Sequence, residues 1–265
     1  MKSNPRPIAL VTGASSEIGA DLARELARDG HDLVLSARRV EPMQALAEEL
    51  KALGAGCTII AADLSKSGAA AALVREIETR GMNVDVLINN AGLGDNGRFD
   101  QSDPARVSEM LGVNVVALTE LTRLLLPPMV ARGKGKVMLL ASTAGFQPGP
   151  QMAVYCASKA YVLNFGEAIA FELRGSGVTV TTLCPGATKT EFARVAHLGG
   201  SALFKGGLMR VMSASDVARF GYRGLKAGRG VVIAGLLNKI MAALSRLSPT
   251  PMTLWIANWM MSTGK

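Results

Sequence analysis

Short apolar runs alternate with longer stretches of helical period through most of the chain. Residues 8–11, 31–37, 57–61, 85–88, 137–141, 178–183 and 231–233 read as strands, rich in Val, Ile, Leu and Thr and bounded by Gly, Asn, Asp or Arg. Between them, apolar residues three and four apart predict helices: Leu22, Leu26 and Ala27 up to Gly30, then 42–53, about 66–80, a long one through 154–171, and 213–226. Strands too apolar to show one wet face, alternating with helices, predict an α/β fold: a doubly wound parallel sheet, Rossmann-like. No linker interrupts the alternation, so residues 1–265 read as a single domain.

Two stretches stand outside that alternation. Around 194–212, Gly199-Gly200 and Gly206-Gly207 flank Ala202-Leu203-Phe204, a pattern suited to a lid over a pocket. Leu198, Leu203, Phe204, Leu208 and Met209 there read either as a lipophilic pocket wall or as core. From about 235 to 263 a helical extension follows, with Leu236, Leu237, Ile240, Met241, Leu244 and Leu247 on one face and Asn238, Lys239, Ser245 and Arg246 elsewhere. Packing on its own domain or on a partner subunit is the ordinary expectation for such a face. Peripheral membrane contact is the other, because Trp255 and Trp259 lie near basic residues.

Charge sharpens that choice. The net charge is +8, yet residues 194–265 carry ten Lys or Arg and one acid, Asp216, for +9, while residues 1–193 carry nineteen bases and twenty acids, for −1. The excess describes a solvated basic face, a site for an anionic substrate, or an anionic membrane surface. Nucleic acid is disfavoured, since the bases are dispersed singly and aromatics are 5% of residues. Three cysteines without CxxC spacing suggest neither disulfides nor zinc, and fit a cytoplasmic protein. The apolar stretch after Lys2 and Arg6 is too short for a signal-peptide core.

The candidate chemistry lies at the carboxyl ends of the strands. After the first comes Thr12-Gly13-Ala14-Ser15-Ser16-Glu17-Ile18-Gly19, a glycine-bearing turn opening a helix, the arrangement that aims a helix N-terminus at a dinucleotide phosphate. Gly13, Ser15, Ser16, Ile18 and Gly19 are its expected contacts. The second strand ends in Arg38-Arg39 with no acid before Glu41, which favours NADP(H) over NAD(H), because Arg suits a 2′-phosphate. Asp63-Leu64 follows the third strand, where a carboxylate suits an adenine amino group, and the fourth stops at Asn89-Asn90-Ala91-Gly92, small residues that let backbone approach a ligand. Ser142 ends the strand at 137–141. Tyr155 and Lys159, four apart on a helix, share a face, and an ammonium beside a phenol lowers the phenol's pKa into a useful range.

The motif TGxxxxIG at 12–19, Asp63, the NNAG run at 89–92, Asn114, Ser142, the Tyr155/Lys159 pair and Pro185-Gly186 together resemble the short-chain dehydrogenase/reductase superfamily, in its compact single-domain branch, over roughly residues 6–235. The resemblance implies that Tyr155 exchanges a proton with the substrate oxygen and that Ser142 hydrogen-bonds that oxygen. It implies that Lys159 binds the nicotinamide ribose and lowers the tyrosine pKa, that Asn114 steadies a water linked to Lys159, and that Asn90, Ala91, Gly92, Pro185, Gly186 and Thr188 lie along the cofactor. It further implies homodimers or homotetramers paired through helices at about 104–130 and 152–173. One departure stands out: Glu17 occupies the place of the family's third phosphate-turn glycine, where it either weakens pyrophosphate binding or turns to solvent at the helix start.

The expected function is therefore an NADP(H)-dependent interconversion of a ketone or aldehyde and an alcohol, with a small-molecule substrate of lipophilic or acyl-linked character. A cofactor-binding regulator or structural protein without turnover is the alternative. A serine hydrolase is disfavoured because Ser142 lacks a GxSxG elbow, and with only His31 and His197 and no acidic cluster there is no basis for a catalytic metal.

Overall fold

The computed structural model describes residues 6–192 and 211–261. The expected lid at 194–212, its apolar residues Leu198 to Met209, and His197 lie outside the described residues, apart from Val211 and Met212. Seven parallel strands form one sheet: β1 (Ile8–Thr12), β2 (Asp32–Ala37), β3 (Cys57–Ala61), β4 (Val84–Asn89), β5 (Gly135–Leu140), β6 (Val178–Cys184) and β9 (Val231–Ile233). Their spatial order is β3-β2-β1-β4-β5-β6-β9. A two-stranded ribbon, β7 (Thr188–Lys189) with β8 (Met212–Ser213), lies beside it.

Period-two alternation assigns each strand residue to one of two cores. Ala9 and Val11, with Leu33, Leu35, Val86 and Ile88, pack under α1 (Glu17–Arg28), α2 (Val40–Ala52) and α7 (Ala214–Lys226). Leu10, with Val34, Leu87, Val137 and Leu139, packs under α3 (Ala69–Thr79), α5 (Leu118–Ala131) and α6 (Ala153–Glu172). Burial on both faces is why these strands are apolar throughout. The fold is the doubly wound α/β domain the pattern predicts.

Chain order reverses at β1 and β4: after β3 the chain crosses back to the far side of β1, leaving a crevice above the two carboxyl ends. α4 (Pro104–Leu111) runs into a π-helical turn, Gly112–Ala117, before α5. The whole stretch Pro104–Ala131 is long and apolar enough to cross a membrane by length and composition, although it carries Arg106, Glu109, Glu120 and Arg123 and its inner residues Leu121, Leu125 and Met129 belong to the sheet core. The chain closes with α8 (Leu236–Leu247) and α9 (Thr250–Met261).

Candidate active site

A cavity of about 590 Å³ opens along the carboxyl ends of the strands. Its first wall is the turn after β1. Gly13 has φ +64°, and a Cβ there would lie 2.8 Å from Asn90 Nδ2 and 2.9 Å from Ala91 Cα, so both conformation and space require glycine. Asn90 holds the turn by donating through Nδ2 to Thr12 O (3.0 Å), Gly13 O (3.1 Å) and Ser16 Oγ (3.2 Å). Thr12 Oγ1 accepts the Asn90 and Ala91 N–H groups, each at 3.1 Å. Ser16 precedes α1, but its hydroxyl donates to Gly13 O (2.7 Å) and does not cap the helix. The first N–H groups of α1 thus lack a side-chain cap from Ser16 where the cavity passes, as an anion-binding helix start requires.

Glu17 is exposed at the start of α1 and also makes a contact. Its Oε1 accepts the N–H of Glu191 at 2.8 Å, while Arg39 Nη2 donates to Ser15 O and Glu191 Oε2, each at 3.2 Å. The residue expected to disturb the phosphate turn ties it to the segment after β7.

At the end beyond β2 and β3 the cavity is lined by Ser36, Arg38, Arg39, Asp63 and Leu64. Arg38 Nη1 donates to Glu109 Oε1 on α4 at 2.7 Å. Asp63 Oδ1 accepts from Ser65 N and Oγ, and the bond from the hydroxyl is the main cause holding the carboxyl below its ordinary range. Ser36 Oγ is buried and has no hydrogen-bond partner among the described residues.

The floor brings together Ser142, at the end of β5, and Tyr155 and Lys159, one turn apart on α6. Ser142 Oγ accepts the Ala144 N–H (3.1 Å) and donates to Pro185 O (3.5 Å), which fixes its position. Lys159 is 4% exposed; its Nζ donates to Leu140 O at 2.7 Å and lies 5.8 Å from the Tyr155 ring centroid. Burial lowers the Lys159 pKa to about 8. Burial also raises the Tyr155 pKa above its ordinary value, with the Ser142 hydroxyl pulling the other way. Sequence reasoning expected Lys159 to lower that pKa. Burial acts in the opposite direction, and the phenol holds its proton at neutral pH.

Asn114 does not line the cavity, and neither does Gly19. From the π-helical turn, the Asn114 amide donates to Leu93 O (2.9 Å) and Ser158 Oγ (3.0 Å), while its oxygen accepts the Leu93 N–H (2.8 Å). It therefore braces the loop after Gly92 against α6 from behind. Gly19 packs beneath the turn, where a Cβ would lie 2.4 Å from Gly13 O.

The remaining wall comes from residues that sequence reasoning did not select. Gln147, Met152 and Phe192 line it, with Asn238, Met241 and Ser245 from α8 and Ile256 from α9. Phe192 stands 5.4 Å from the Tyr155 ring, centroid to centroid. Ser245 Oγ donates to Gln147 Oε1 at 2.7 Å, and Asn238 Nδ2 to Ala234 O at 2.6 Å. Asn238 abuts Gly186, where a Cβ would fall 2.4 Å from Nδ2. The tail is thus a cavity wall, and its inward face is the one carrying Asn238, Ala242 and Ser245.

The remaining expected cofactor residues, Pro185, Gly186 and Thr188, line the same cavity with Asn90, Ala91 and Gly92. These observations fit a nicotinamide dinucleotide: a glycine turn with no room for side chains, a helix start aimed at an anion, an orphaned Ser36 hydroxyl, and Arg38 and Arg39 at one end of a cavity whose floor holds Ser142, Tyr155 and Lys159. Among the described residues no cluster of His, Cys, Asp and Glu could hold a metal ion.

The family model for short chain dehydrogenase matches residues 7–198. The chain belongs to the short-chain dehydrogenase/reductase family, oxidoreductases that use nicotinamide cofactors. It is 32% identical over 247 residues to the ketoacyl reductase HetN of Nostoc sp., an alignment covering 91% of this chain and 85% of the relative. Among solved structures it resembles a short-chain dehydrogenase from Sphingobium yanoikuyae in complex with NADPH, with TM-score 0.78 and 33% identity over 91% of this chain and 94% of the other. It also resembles a short-chain dehydrogenase/reductase from Burkholderia phymatum in complex with NAD, with TM-score 0.80 and 26% identity over 92% and 94% of the two chains.

Proposed function

We propose that the protein is an NADP(H)-dependent reductase that interconverts a ketone or aldehyde with an alcohol, and that its substrate is lipophilic or acyl-linked. The observation that carries this reading is the convergence of Ser142, Tyr155 and Lys159 on the floor of one cavity whose far end holds Arg38 and Arg39. When bound, the cofactor supplies or accepts the hydride at the carbonyl carbon. Tyr155, protonated at neutral pH, donates its proton to the substrate oxygen that the Ser142 hydroxyl helps to hold. As negative charge forms on the phenol oxygen, the Lys159 ammonium offsets it, and Leu140 O fixes that ammonium in place. Asn114 keeps α6 and the loop at Leu93 in register. Met152, Phe192, Met241 and Ile256 give the substrate side its apolar character. NADP(H) is favoured because two guanidinium groups, Arg38 paired with Glu109 and Arg39 with Glu191, lie at the end of β2.

Titration of wild type and Arg38→Ala with NADPH and NADH, followed by a carbonyl panel with Tyr155→Phe, tests this reading. Wild type should bind NADPH at least roughly tenfold more tightly than NADH, as one charge-assisted contact allows, and Arg38→Ala should erase the difference. Tyr155→Phe should still bind cofactor and lose turnover by a factor on the order of 10³. Cofactor binding without turnover of any carbonyl by wild type would favour the regulatory alternative.

Pairing into dimers or tetramers is part of the same proposal. Leu111, Val116, Leu124, Val130, Tyr161 and Phe171 are exposed on α4 through α6, the helices through which the family is expected to pair. Light scattering that returns a monomer at working concentration would remove it.

A further inference from the structure

We propose that the outward face of α8 and α9 docks on an anionic lipid bilayer. A surface helix ordinarily turns its apolar stripe inward. On α8 the stripe faces out: Leu236 is 75% exposed, Ile240 48%, Leu244 51% and Leu247 83%, while Asn238 (7%) and Ala242 (3%) face in. The inversion has a visible cause. The inner face is committed to the cavity wall through the Asn238 contact with Gly186 and the Ser245 bond to Gln147, which leaves no core for the leucines.

α9 carries an outward apolar face of its own. The chain's two tryptophans both lie on it, Trp255 72% exposed and Trp259 57% exposed. Indole rings, apolar with one polar edge, favour the headgroup boundary of a membrane. Each helix has twelve residues, about 18 Å at the α-helical rise, too short to span a bilayer but long enough to lie in its surface.

Charge selects the occupant. No Asp or Glu follows Asp216; Lys239 and Arg246 flank the α8 stripe, Arg246 reaching Glu167 at 3.5 Å, and Lys189, Arg219 and Arg223 gather beside Leu236 and Leu237, so the surface is apolar with a net basic margin. Anionic headgroups complement that margin. A second copy of this chain meeting the same face would set one net basic margin against another, the nearby Glu167 carboxylate already being paired with Arg246. An apolar patch of this extent is also unusual on a surface that meets only water.

The test uses the intact chain and vesicles of phosphatidylcholine, with and without phosphatidylglycerol. Because both tryptophans sit on α9, intrinsic tryptophan fluorescence reports on this surface alone. The proposal expects co-flotation with the anionic vesicles, a roughly tenfold preference over neutral ones that high salt reduces, and quenching of tryptophan emission by lipids brominated in the acyl chains. A Leu247→Glu/Trp255→Glu double variant should lose co-flotation while melting and binding NADPH as wild type does. Absence of co-flotation and quenching with wild type overturns the proposal, as does a folded double variant that floats as wild type does. Self-association of wild type that the double variant abolishes, without vesicle binding, assigns the face to a second copy and likewise overturns it. Should the double variant fail to fold, quenching of the wild type by brominated lipid decides.

Discussion

The two walls of the cavity are built on opposite plans. The turn after β1 is held by backbone and by Asn90, whose one amide group serves three acceptors, and its glycines are packed so that no Cβ fits. The tail wall meets the cavity through side chains of α8 and α9, Met241 and Ile256 among them, while Leu236, Ile240, Leu244 and Leu247 face away. A wall made of backbone admits few substitutions and leaves a sequence signature. A wall made of side chains on an added helix varies freely, and its orientation depends on what it meets.

The largest effect should come from the floor that both walls share. Unfolded lysine titrates near 10.5, and burial brings Lys159 to about 8. Between those values the unfolded chain carries a proton that the folded chain has shed, so this residue's contribution to stability rises with pH, and its full penalty is present below about pH 8. Lys159→Met removes the ammonium. Its stability relative to wild type should therefore fall by about 3 kcal/mol between neutral pH and about pH 10, read from paired denaturation curves. A difference that does not change with pH would mean that Lys159 is more hydrated than the geometry indicates.

Gly13→Ala attacks the backbone wall. It forces a side chain into a left-handed conformation against Asn90 and Ala91, which should cost about 2 kcal/mol and lower the melting temperature by several degrees. Cofactor affinity should fall by at least roughly tenfold, because the turn and the start of α1 move together. Retained affinity would show that the turn is softer than its hydrogen bonds imply.

Gly186→Ala attacks the tail wall and should be curable. The three atoms nearest to its Cβ belong to the Asn238 side chain, at 2.4 to 2.7 Å. Alone, the substitution should cost about 1–2 kcal/mol and raise the KM for substrate. Combined with Asn238→Ala, which vacates that space, it should recover most of the loss, giving a coupling of about 1 kcal/mol in a double-mutant cycle. Additive effects would place α8 away from Gly186 in solution.

The same contrast explains what the sequence disclosed. The strands, the phosphate turn and the Ser142, Tyr155 and Lys159 trio were legible because local spacing defines them: period two, a glycine at a forced turn, four residues on a helix. The tail was legible as a helix but not in its orientation. Its hydrophobic face was expected to pack on its own domain or a partner subunit, or to meet a membrane; which face turns to the cavity is set by Gly186 and Gln147, far away in sequence, which meet Asn238 and Ser245. The partners of Arg38 and Arg39 escaped for the same reason, since Glu109 and Glu191 lie 71 and 152 residues away. Pair spacing reports the cation beside Tyr155 and is silent about burial, which raises the phenol's pKa.

The smallest effect should be the most instructive, because Glu17 belongs to one wall and holds the segment that leads towards the other. Its carboxylate adds negative charge at the start of α1, where a pyrophosphate is expected, yet it also accepts the Glu191 N–H. Two substitutions separate these roles. Glu17→Gln removes the charge and keeps an oxygen able to accept that bond, while Glu17→Gly removes both. If repulsion dominates, both variants should bind NADPH a few-fold more tightly, a change of about 0.5–1 kcal/mol, and the gain should shrink at high salt. If the tie to Glu191 dominates, Gln should match wild type and Gly should bind more weakly. Cofactor fluorescence titrations at two salt concentrations distinguish the cases. The first result is expected, because Arg39 still holds the Glu191 carboxylate when Glu17 is gone.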